Sequence, residues 1–547
     1  MLFQDVFVKK PARSLFNLTH EKKFSADFGF LYPILCMEAV PGDTFKLGTE
    51  VFVRTAPLIA PIMHRVNVKI NYFFVPNRLV WSEWQDFITG INQSQTYDPT
   101  SQDQSNYFVT KVPPYAPVSS TSGASSYLYE GSLADFLGFP TLKPNTTFDT
   151  TSPVNIQIMP FRAYQKIYND WYRNQNVEAE VPIGMSSGSD TTHYNSTFTL
   201  RRRMWEKDYF TSALPFAQRG DAVNIPNSGL KYVKNGTTLV KDSDGNAFLP
   251  GTGTNANVQI ATESNKDVLI SKDANAATVK PVNIDNSANL AVNMGTINDL
   301  RIATRLQRWL EINARVGGRY IEQILGHYGV KSSDARLQRA EYLGGFSAPI
   351  VVTDVEQTSA YAGTTQGAAA TTPQGNLAGK GTSYRQPSFV KCFCEEHGFI
   401  FGILSIIPRT TYQNGIPKMF MRNYKEDYYF PEFANLGEQD VSKAEVYFDL
   451  ADATNRSFDR FGFQERYCEY KYIPSTVHGE FKTNLQFWHL GRDFSSSGQP
   501  SLSKSFCECN PRNNVFAVLS GANHFYVNLI NHVKALRPMP KQAIPTL

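Results

Sequence analysis

The sequence predicts a mainly β protein whose strands are joined by long loops, and three observations support that prediction. Residues 65–74 alternate between polar and apolar side chains, as a strand with one buried face does. The 547-residue chain contains 36 glycines and 31 prolines, which favour turns. From Ser388 onward, strand-like segments recur between turn-rich breaks. This mixture favours a protein of many strands over a helical bundle.

The strand at residues 65–74 is the best-defined element of the sequence. Its apolar face consists of alternate residues: Val66, Val68, Ile70, Tyr72 and Phe74. The opposite face is polar: Arg65, Asn67, Lys69 and Asn71. Pro76 closes the strand, since proline lacks the N–H that a central strand needs. A short aromatic segment then follows at helical spacing: Trp81, Trp84 and Phe87.

Composition and charge exclude several classes of protein. Hydrophobic residues make up 41% of the chain and aromatic residues 13%, so a substantial core is expected and global disorder is excluded. The formal net charge is only +4, whereas a dedicated DNA-condensing protein would be far more basic. The N-terminal sequence shows no signal-peptide pattern, and the apolar run at residues 399–407 is too short to span a bilayer. We therefore expect a cytoplasmic product without membrane insertion.

The sequence divides into four predicted regions. Residues 1–40 form an N-terminal arm with several cationic side chains, and residues 41–221 form the first part of the core. An insertion occupies residues 222–296, and residues 297–547 return to the core with helices and a C-terminal arm. Within the core, residues 92–155 and 355–388 are rich in small and polar residues and are predicted to be surface loops.

Two segments have the periodicity of amphipathic helices. The first, near residues 159–176, has an aromatic face suited to packing: Phe161, Tyr164, Tyr168, Trp171 and Tyr172. The second begins near residue 297 and has a broad apolar face: Ile302, Leu306, Trp309, Leu310 and Ile324. Gly317 and Gly318 are expected to break or kink this second helix.

The insertion at residues 222–296 differs in composition from the rest of the chain. It contains mainly small and polar residues, and its only aromatic side chains are those of Tyr232 and Phe248. Asn235-Gly236 lies between two β-forming runs, which predicts a type I′ hairpin, and Asp244-Gly245 indicates another turn. The insertion is therefore interpreted as a projection from the main body, and a disordered loop is the alternative.

No motif in the sequence requires an enzyme, and we expect no catalytic residue, metal ligand or cofactor. Ser186 matches G-x-S-x-G, but no helix signal follows it, as a nucleophile elbow requires. Six cysteines include two C-x-C pairs, which could suggest zinc. A C-x-C pair in a strand places both thiols on one face, so buried free thiols are the preferred interpretation: Cys36, Cys392, Cys394, Cys468, Cys507 and Cys509.

Two basic clusters are candidate contacts with single-stranded DNA. The first combines cations with the nearby indole of Trp205: Arg201, Arg202, Arg203 and Lys207. The second lies along one arc of the long helix, if that helix stays continuous, and Glu311 and Glu322 weaken its positive potential: Arg301, Arg305, Arg308, Arg315 and Arg319. Salt bridges between subunits or a solvated face are the alternatives for both clusters.

Several long segments resemble the major capsid proteins of the Microviridae, small single-stranded DNA phages, especially the gokushovirus-like group. They begin with RTAPLIAPIMHRVNVKINYFFVPNRLVWSEWQDFITG and include LPFAQRGDAVNIP and LRIATRLQRWLEINARVGGRYIEQILGHYGV. The resemblance continues through HGFIFGILSIIPRTTYQNGIPKMFMR to the closing NHVKALRPMPKQAIPTL. It covers most of the chain outside the insertion and the loop near residue 100.

The resemblance implies an eight-stranded antiparallel jelly roll, a viral capsid barrel with long loop insertions and a few helices. Sixty copies would form a small T=1 icosahedral shell around circular single-stranded DNA, assembled in the bacterial host's cytoplasm and released as a virion. The expected partners are an internal scaffolding protein, a DNA pilot protein and a host cell-surface receptor. The insertion would form protrusions near the threefold axes, with these turn residues as candidate receptor contacts: Asn235, Gly236, Asp244 and Gly245.

Two other functions remain open at this point. One is a soluble single-stranded DNA-binding protein, which the small net charge disfavours. The other is a serine hydrolase built around Ser186, which the surrounding sequence disfavours. A capsid protein would assemble into shells, a hydrolase would turn over esters, and a DNA-binding module would bind as a monomer with steep salt dependence.

Overall fold

The computed structural model describes most of the chain and separates it into two compact units. The first unit comprises Met1–Ala217 with Val316–Leu547, and the second comprises Gln218–Arg315. The described residues are 12–90, 100, 111–118, 127–143, 154–221, 223, 297–358, 374–518 and 522–542, together with the backbone of short strands within 231–291 and 361–372.

Ten strands of the first unit are hydrogen-bonded into one antiparallel system. In chain order they are β1 (Ser14–Asn17), β2 (His20–Ala26), β3 (Tyr32–Ala39), β4 (Thr44–Thr55), β5 (Val66–Pro76), β6 (Glu341–Glu356), β7 (Leu377–Arg385), β8 (Val390–Phe393), β9 (Gly398–Pro408) and β10 (Phe525–Arg537).

Eight of these strands form the two facing sheets of a jelly roll. One sheet has the order β2-β10-β4-β7, and the other has the order β3-β9-β5-β6. Strand β6 belongs to both, since Glu341–Ile350 pairs with β5 and Val351–Glu356 pairs with β7. Strand β1 extends the pairing of β10, and β8 pairs with β4 beside β7. The predicted eight-stranded antiparallel jelly roll is confirmed.

The main core lies between the two sheets. The predicted apolar face of β5 is confirmed, because all five of its side chains are buried there: Val66, Val68, Ile70, Tyr72 and Phe74. The facing sheet supplies alternate residues of β4 and β10, including Phe45, Val53 and Leu529. On the other face of β5, Phe73 and Val75 are buried as well, under a second layer of helices.

In the part of the chain that the structure describes, eight α-helices connect or cover the strands. In chain order they are α1 (Trp84–Thr89), α2 (Leu133–Leu137), α3 (Met159–Ile167), α4 (Tyr194–Thr197), α5 (Ile297–Val316), α6 (Tyr320–Tyr328), α7 (Lys443–Val446) and α8 (Lys504–Cys507). The described 3₁₀ turns are Asn77–Leu79, Lys418–Phe420, Lys425–Asp427, Pro431–Phe433, Ala453–Asn455, Cys468–Tyr470, Gly479–Lys482 and Gln486–Trp488.

Helix α3 covers the outer face of the β3-β9-β5-β6 sheet. Its predicted aromatic face is confirmed, because Phe161 and Tyr164 pack in one buried cluster with Phe401 of β9. The helix continues as a π-helical turn, Tyr168–Tyr172, and the Trp171 indole Nε1 donates to the carbonyl of Ala340 at 2.8 Å. This layer packs residues 159–172 against the jelly roll.

The long connection between β9 and β10 forms a third buried cluster with residues near 210. Tyr209 and Phe210 pack against Tyr412, Val446 and Phe461. The Tyr412 hydroxyl donates to Asp208 Oδ2 at 2.7 Å, and the Tyr209 hydroxyl donates to Glu445 Oε2 at 3.0 Å. The two large insertions of the jelly roll therefore share a core of their own.

Both segments predicted to be surface loops are partly wrong. Tyr115–Val118 pairs with Val154–Gln157, and Leu133 and Ala134 of α2 are fully buried. Within residues 355–388, Tyr361–Thr365 pairs with Ala368–Thr372, and β7 is a strand of the jelly roll. These elements were not predicted because small residues in them interrupt the apolar pattern. A Cβ on Gly379 of β7, for example, would lie 2.7 Å from Pro61 Cα, so this position requires a glycine.

The second unit contains several short strands and most of α5. The strands are Lys231–Tyr232, Val240–Asp242, Ala247–Phe248, Gln259–Thr262, Val268–Ser271, Val282–Ile284 and Leu290–Ala291. Among these strands, those next to Asn235-Gly236 leave residues 233–239 outside the described part of the chain, so the hairpin predicted there stays a prediction. Those on either side of Asp244-Gly245 pair with each other, as a turn between them requires.

Candidate nucleic-acid and assembly surfaces

Residues 201–205 are hydrogen-bonded to two separate segments of the first unit, and we call them the strap. The amide of Leu31 donates to the carbonyl of Arg201 at 2.9 Å, and the amide of Arg203 donates to the carbonyl of Gly29 at 2.6 Å. Met204 forms an isolated β-bridge with Glu508. The run of arginines therefore lies between the loop that follows β2 and the chain that precedes β10.

The guanidinium groups of this strap contact acceptors within the same subunit. Arg201 Nε donates to Gln165 Oε1 at 2.8 Å, and its Nη2 donates to the carbonyl of Ser196 at 2.8 Å. Arg202 lies 3.8 Å from the centroid of the Phe30 ring and donates to Asn510 Oδ1 at 3.1 Å. Each side chain is half-buried, so local structure alone accounts for these positions.

In the described part of the chain, no carboxylate forms an ion pair with the arginines of the strap. Among the described residues, no carboxylate oxygen lies within 4.0 Å of a guanidinium nitrogen of Arg201, Arg202 or Arg203. Arg203 Nη1 donates to the Ser405 hydroxyl at 3.1 Å, and Lys207 is exposed. Contact of this cluster with DNA stays a prediction, carried chiefly by Lys207.

The second basic cluster lies along α5 and is open to solvent. Four of its five predicted arginines are exposed: Arg301, Arg305, Arg308 and Arg315. Arg319 does not join them, because it lies beyond the end of α5, is half-buried and donates from Nη1 to Glu322 Oε1 at 3.3 Å. The predicted apolar face is only partly buried, because Leu310 is buried whereas Ile302, Leu306 and Trp309 are about half exposed. The predicted break after the helix is confirmed, since α5 ends at Val316 and Gly317 has φ = 113°. An exposed helix with cationic and apolar side chains suits contact with another molecule.

A further exposed surface was not predicted from the sequence. We call it the aromatic surface: Met419, Phe420, Tyr424, Tyr428, Tyr429, Phe430 and Tyr470. The side chains of Phe420 and Tyr424 are 72% and 71% exposed, although aromatic side chains normally contribute to a core. The Arg422 guanidinium lies between two rings, 5.3 Å from the centroid of Tyr428 and 4.4 Å from that of Tyr470. Tyrosine, phenylalanine, methionine and arginine are the residues enriched at protein–protein interfaces.

A cavity of about 470 Å³ opens beside the aromatic surface. Phe420, Arg422, Asp440 and Arg460 line it, together with Glu445. Burial raises the pKa of the Glu445 carboxyl, while Lys418 Nζ lies 3.7 Å from its Oε1. The mixture of both charge signs with aromatic rings suits a protein partner better than a polyanion.

Ser186 does not lie in the turn that a nucleophile elbow requires. Neither a strand precedes nor a helix directly follows it, and α4 begins only at Tyr194. No described hydrogen bond joins its hydroxyl to a histidine; His193 Nδ1 instead contacts Asp190 Oδ1 at 2.9 Å. The G-x-S-x-G match therefore lies in a loop next to the buried carboxylate of Asp190, and Ser186 itself is exposed.

The cysteines are free thiols, as predicted. Four are buried, and the Sγ atoms of Cys392 and Cys394 lie 3.9 Å apart on one side of the chain. The chain around them forms two strands, β8 and β9, with a turn between. The described residues contain no cluster of three or more groups that could hold a metal ion.

The candidate receptor contacts lie outside the described residues: Asn235, Gly236, Asp244 and Gly245. In the described part of the chain, no helix combines the length and the apolar character needed to cross a bilayer.

A complete jelly roll with large insertions and exposed aromatic and basic surfaces is typical of a viral coat protein. Comparison with known sequences supports this class. The profile of the capsid protein (F protein) family matches residues 6–547. The chain therefore belongs to this family of capsid proteins, and the resemblance to the Microviridae is confirmed.

Three relatives illustrate how much of the chain is shared. Capsid protein VP1 of Chlamydia phage 1 is 32% identical, and the alignment covers 100% of this chain and 97% of the relative. Capsid protein VP1 of Bdellovibrio phage phiMH2K is 34% identical over 91% of this chain and 88% of its own length. Capsid protein VP1 of Spiroplasma virus 4 is 28% identical over 98% and 95%, respectively. The chain is a structural capsid protein of the virion, and it assembles with copies of itself into a shell.

Proposed function

We propose that sixty copies of this chain close into a T=1 icosahedral shell around circular single-stranded DNA. The observation that carries this proposal is the complete jelly roll, since all eight of its strands come from one chain. A jelly roll manages most of its strand edges internally, so contacts between subunits fall to the insertions. The insertions at residues 77–340 and 409–524 are long enough to provide them.

The aromatic surface is the proposed site of contact between neighbouring subunits. An exposed patch of this kind is unfavourable on a protein that stays monomeric, because apolar area remains in contact with water. In a closed shell the patch would be buried against the next copy. Its interspersed charges, such as Arg422 and Asp427, would then fix the relative orientation of the two copies.

Assembly is proposed to take place in the host bacterial cytoplasm, with an internal scaffolding protein and a DNA pilot protein as partners. The free thiols of the chain suit a reducing compartment. The exposed arginines of α5, together with Lys207, are candidate contacts with the packaged DNA. As a structural shell protein, the chain needs no catalytic residue or cofactor.

The insertion at residues 222–296 is proposed to project near the threefold axes and to contact the host receptor. Its low aromatic content favours a solvated element over an additional core. The turns at Asn235-Gly236 and Asp244-Gly245 are the candidate contact positions. Shells built from a chain that lacks residues 230–290 should still close but should no longer adsorb to host cells.

Electron microscopy of the chain, expressed together with the other proteins of its phage, tests the proposal. We expect closed shells of uniform size that protect circular single-stranded DNA from nuclease. Purified protein that stays monomeric or forms only open sheets under these conditions would contradict it. Ester turnover by monomeric protein, lost in the Ser186→Ala variant, would indicate a hydrolase instead.

A further inference from the structure

The outer face of the β2-β10-β4-β7 sheet is open to solvent and bears large aromatic side chains. Tyr384 of β7 and Tyr526 of β10 are 59% and 50% exposed, and Phe393 of the adjoining β8 is 54% exposed. On the opposite face, the alternate residues of the same strands fill the core. We therefore expect another molecule to cover this sheet face in the assembled particle.

Three lysines from distant parts of the sequence form a row across this face. The register of β10 on β4 pairs Lys534 with Lys46, and the register of β8 on β4 pairs Lys391 with Lys46. All three are exposed. We call them the lysine row. Residues directly opposite each other on neighbouring strands lie roughly 5 Å apart at Cβ, so the three ammonium groups repel one another.

No carboxylate in the described part of the chain balances this charge. No described carboxylate oxygen lies within 4.0 Å of an ammonium nitrogen of the lysine row. The Glu50 carboxylate on the same face contacts His532 instead, with 3.4 Å between Oε2 and Nε2. Two like-charged cross-strand pairs without a counter-ion destabilise a free subunit, so the row fits an external polyanion.

Aromatic rings flank the lysine row on both sides. Lys46 Nζ lies 4.5 Å from the centroid of the Phe389 ring, which is half exposed. Phe393 follows Lys391 by two residues on β8 and therefore lies on the same face. Ammonium groups that neutralise phosphates, next to rings on which bases can stack, are the two elements of a single-stranded nucleic-acid surface.

We propose that the lysine row binds the phosphates of the packaged single-stranded DNA, with Phe389 and Phe393 stacking against its bases. This inference rests on the proposed function, in which the shell encloses such DNA. It places the outer face of this sheet on the inside of the shell. The contact would be independent of sequence, because ammonium groups and phenyl rings do not read base edges.

The test compares two triple variants of the full-length chain. The first, Lys46→Gln with Lys391→Gln and Lys534→Gln, removes the lysine row. The control, Lys331→Gln with Lys425→Gln and Lys541→Gln, removes the same charge from exposed positions elsewhere. Both are expressed with the other phage proteins. Particle size is then measured by electron microscopy, and nuclease-protected DNA is measured per particle.

We expect row-variant shells of wild-type size that retain several-fold less DNA, while the control variant packages normally. Row-variant shells with wild-type DNA content would overturn the proposal. Failure of the row variant to form shells, while the control does, would also overturn it, because the row would then contact protein.

If the wild-type chain forms no DNA-filled shell, that result contradicts the proposed function but does not test the lysine row. A second measurement then tests the row on its own. Binding of the full-length protein to a fluorescent oligothymidine is titrated at increasing salt. If three phosphates are neutralised by the row, the slope of log K against log salt falls in magnitude by about 2 in the row variant. An unchanged slope in both triple variants would overturn the proposal.

Discussion

At the scale of single residues, the most constrained group is the buried ion pair of Arg162 and Asp190. Arg162 is fully buried on α3, and its Nη2 lies 2.9 Å from Asp190 Oδ2. Its Nη1 donates to the carbonyl of Val80 at 3.2 Å and to that of Ser186 at 3.3 Å. One guanidinium thus joins helix α3 to two loops, and its charge is compensated by a single carboxylate.

Replacing that carboxylate should be costly. In the Asp190→Asn variant the Arg162 charge stays buried without a counter-ion, so we expect a loss of about 3–5 kcal/mol in the free energy of unfolding. Urea denaturation followed by tryptophan fluorescence measures it. The control is Glu21→Gln, which removes an exposed pair with Lys23 and should cost at most about 1 kcal/mol. Equal losses in the two variants would contradict the role given to the buried pair.

His64 provides a pH-dependent prediction. Its Nε2 donates to the carbonyl of Arg409 at 2.7 Å, and burial lowers its pKa from 6.5 to about 4. Between those values the unfolded chain binds a proton that the folded chain does not. Stability from this residue is therefore complete above pH 6.5 and is lost as the pH falls toward 4.

The His64→Gln variant keeps a donor for the Arg409 carbonyl but cannot titrate. Its free energy of unfolding should fall less than that of the wild type between pH 7 and pH 4.5. The exposed His478 supplies the control, because His478→Gln should follow the wild-type curve. Parallel curves for the wild type and His64→Gln would contradict a folded state that holds His64 neutral.

At the scale of elements, the sequence predicted those strands and helices whose apolar side chains recur with a regular period. The β5 alternation and the aromatic stripe of α3 are of this kind, because each buries a continuous face. Strand β7 was missed, since its LAGKGTSYR sequence has small residues where a core strand usually has branched ones. Its place in the sheet depends on close approach to residues 60–61, which lie far away in the sequence.

A substitution in β7 tests this explanation. The side chain of Gly379→Val would enter space occupied by Pro61 Cα and the carbonyl of Ala60, at 2.7 and 2.8 Å from the new Cβ. We expect a loss of about 1–3 kcal/mol in the free energy of unfolding, the usual cost of overpacking. Ala378→Val, on the half-buried opposite face of the same strand, should cost less than half as much. If the two substitutions lower the free energy of unfolding by similar amounts, the loss at residue 379 would come from β-propensity and not from contact with residues 60–61.

The sequence indicated some of the candidate surfaces and missed others, because residues that meet only in the fold form no pattern in the sequence. Arg201, Arg202 and Arg203 stand out in the sequence because they are consecutive, yet the fold directs them toward internal acceptors. The lysine row is invisible in the sequence, because Lys46, Lys391 and Lys534 meet only through strand register. The aromatic surface does have a local signal, the run KMFMRNYKEDYYFPEF, which is rich in aromatic residues but follows neither a period of 2 nor one of 3.6.

At the scale of the whole molecule, function is assembly, so the most informative substitutions leave the fold intact and change its surface. Phe420→Ser with Tyr424→Ser removes two exposed rings that contribute little to any core of the free subunit. We expect unchanged thermal unfolding of the purified subunit but a severalfold or greater loss of closed particles, measured by sedimentation. Lys425→Ser, directly after Tyr424 in the same segment, should assemble normally. Normal assembly of the double variant would contradict the proposed role of the aromatic surface.

The most direct test of the proposed shell is a cryo-electron microscopy reconstruction of particles formed by this chain with its phage partners. We expect a closed shell of sixty jelly rolls, with the aromatic surface buried between neighbouring copies and the lysine row facing internal DNA density. A shell with the aromatic surface exposed to solvent and the lysine row on its exterior would contradict both assigned surfaces. Particles that never close would contradict the proposed shell itself.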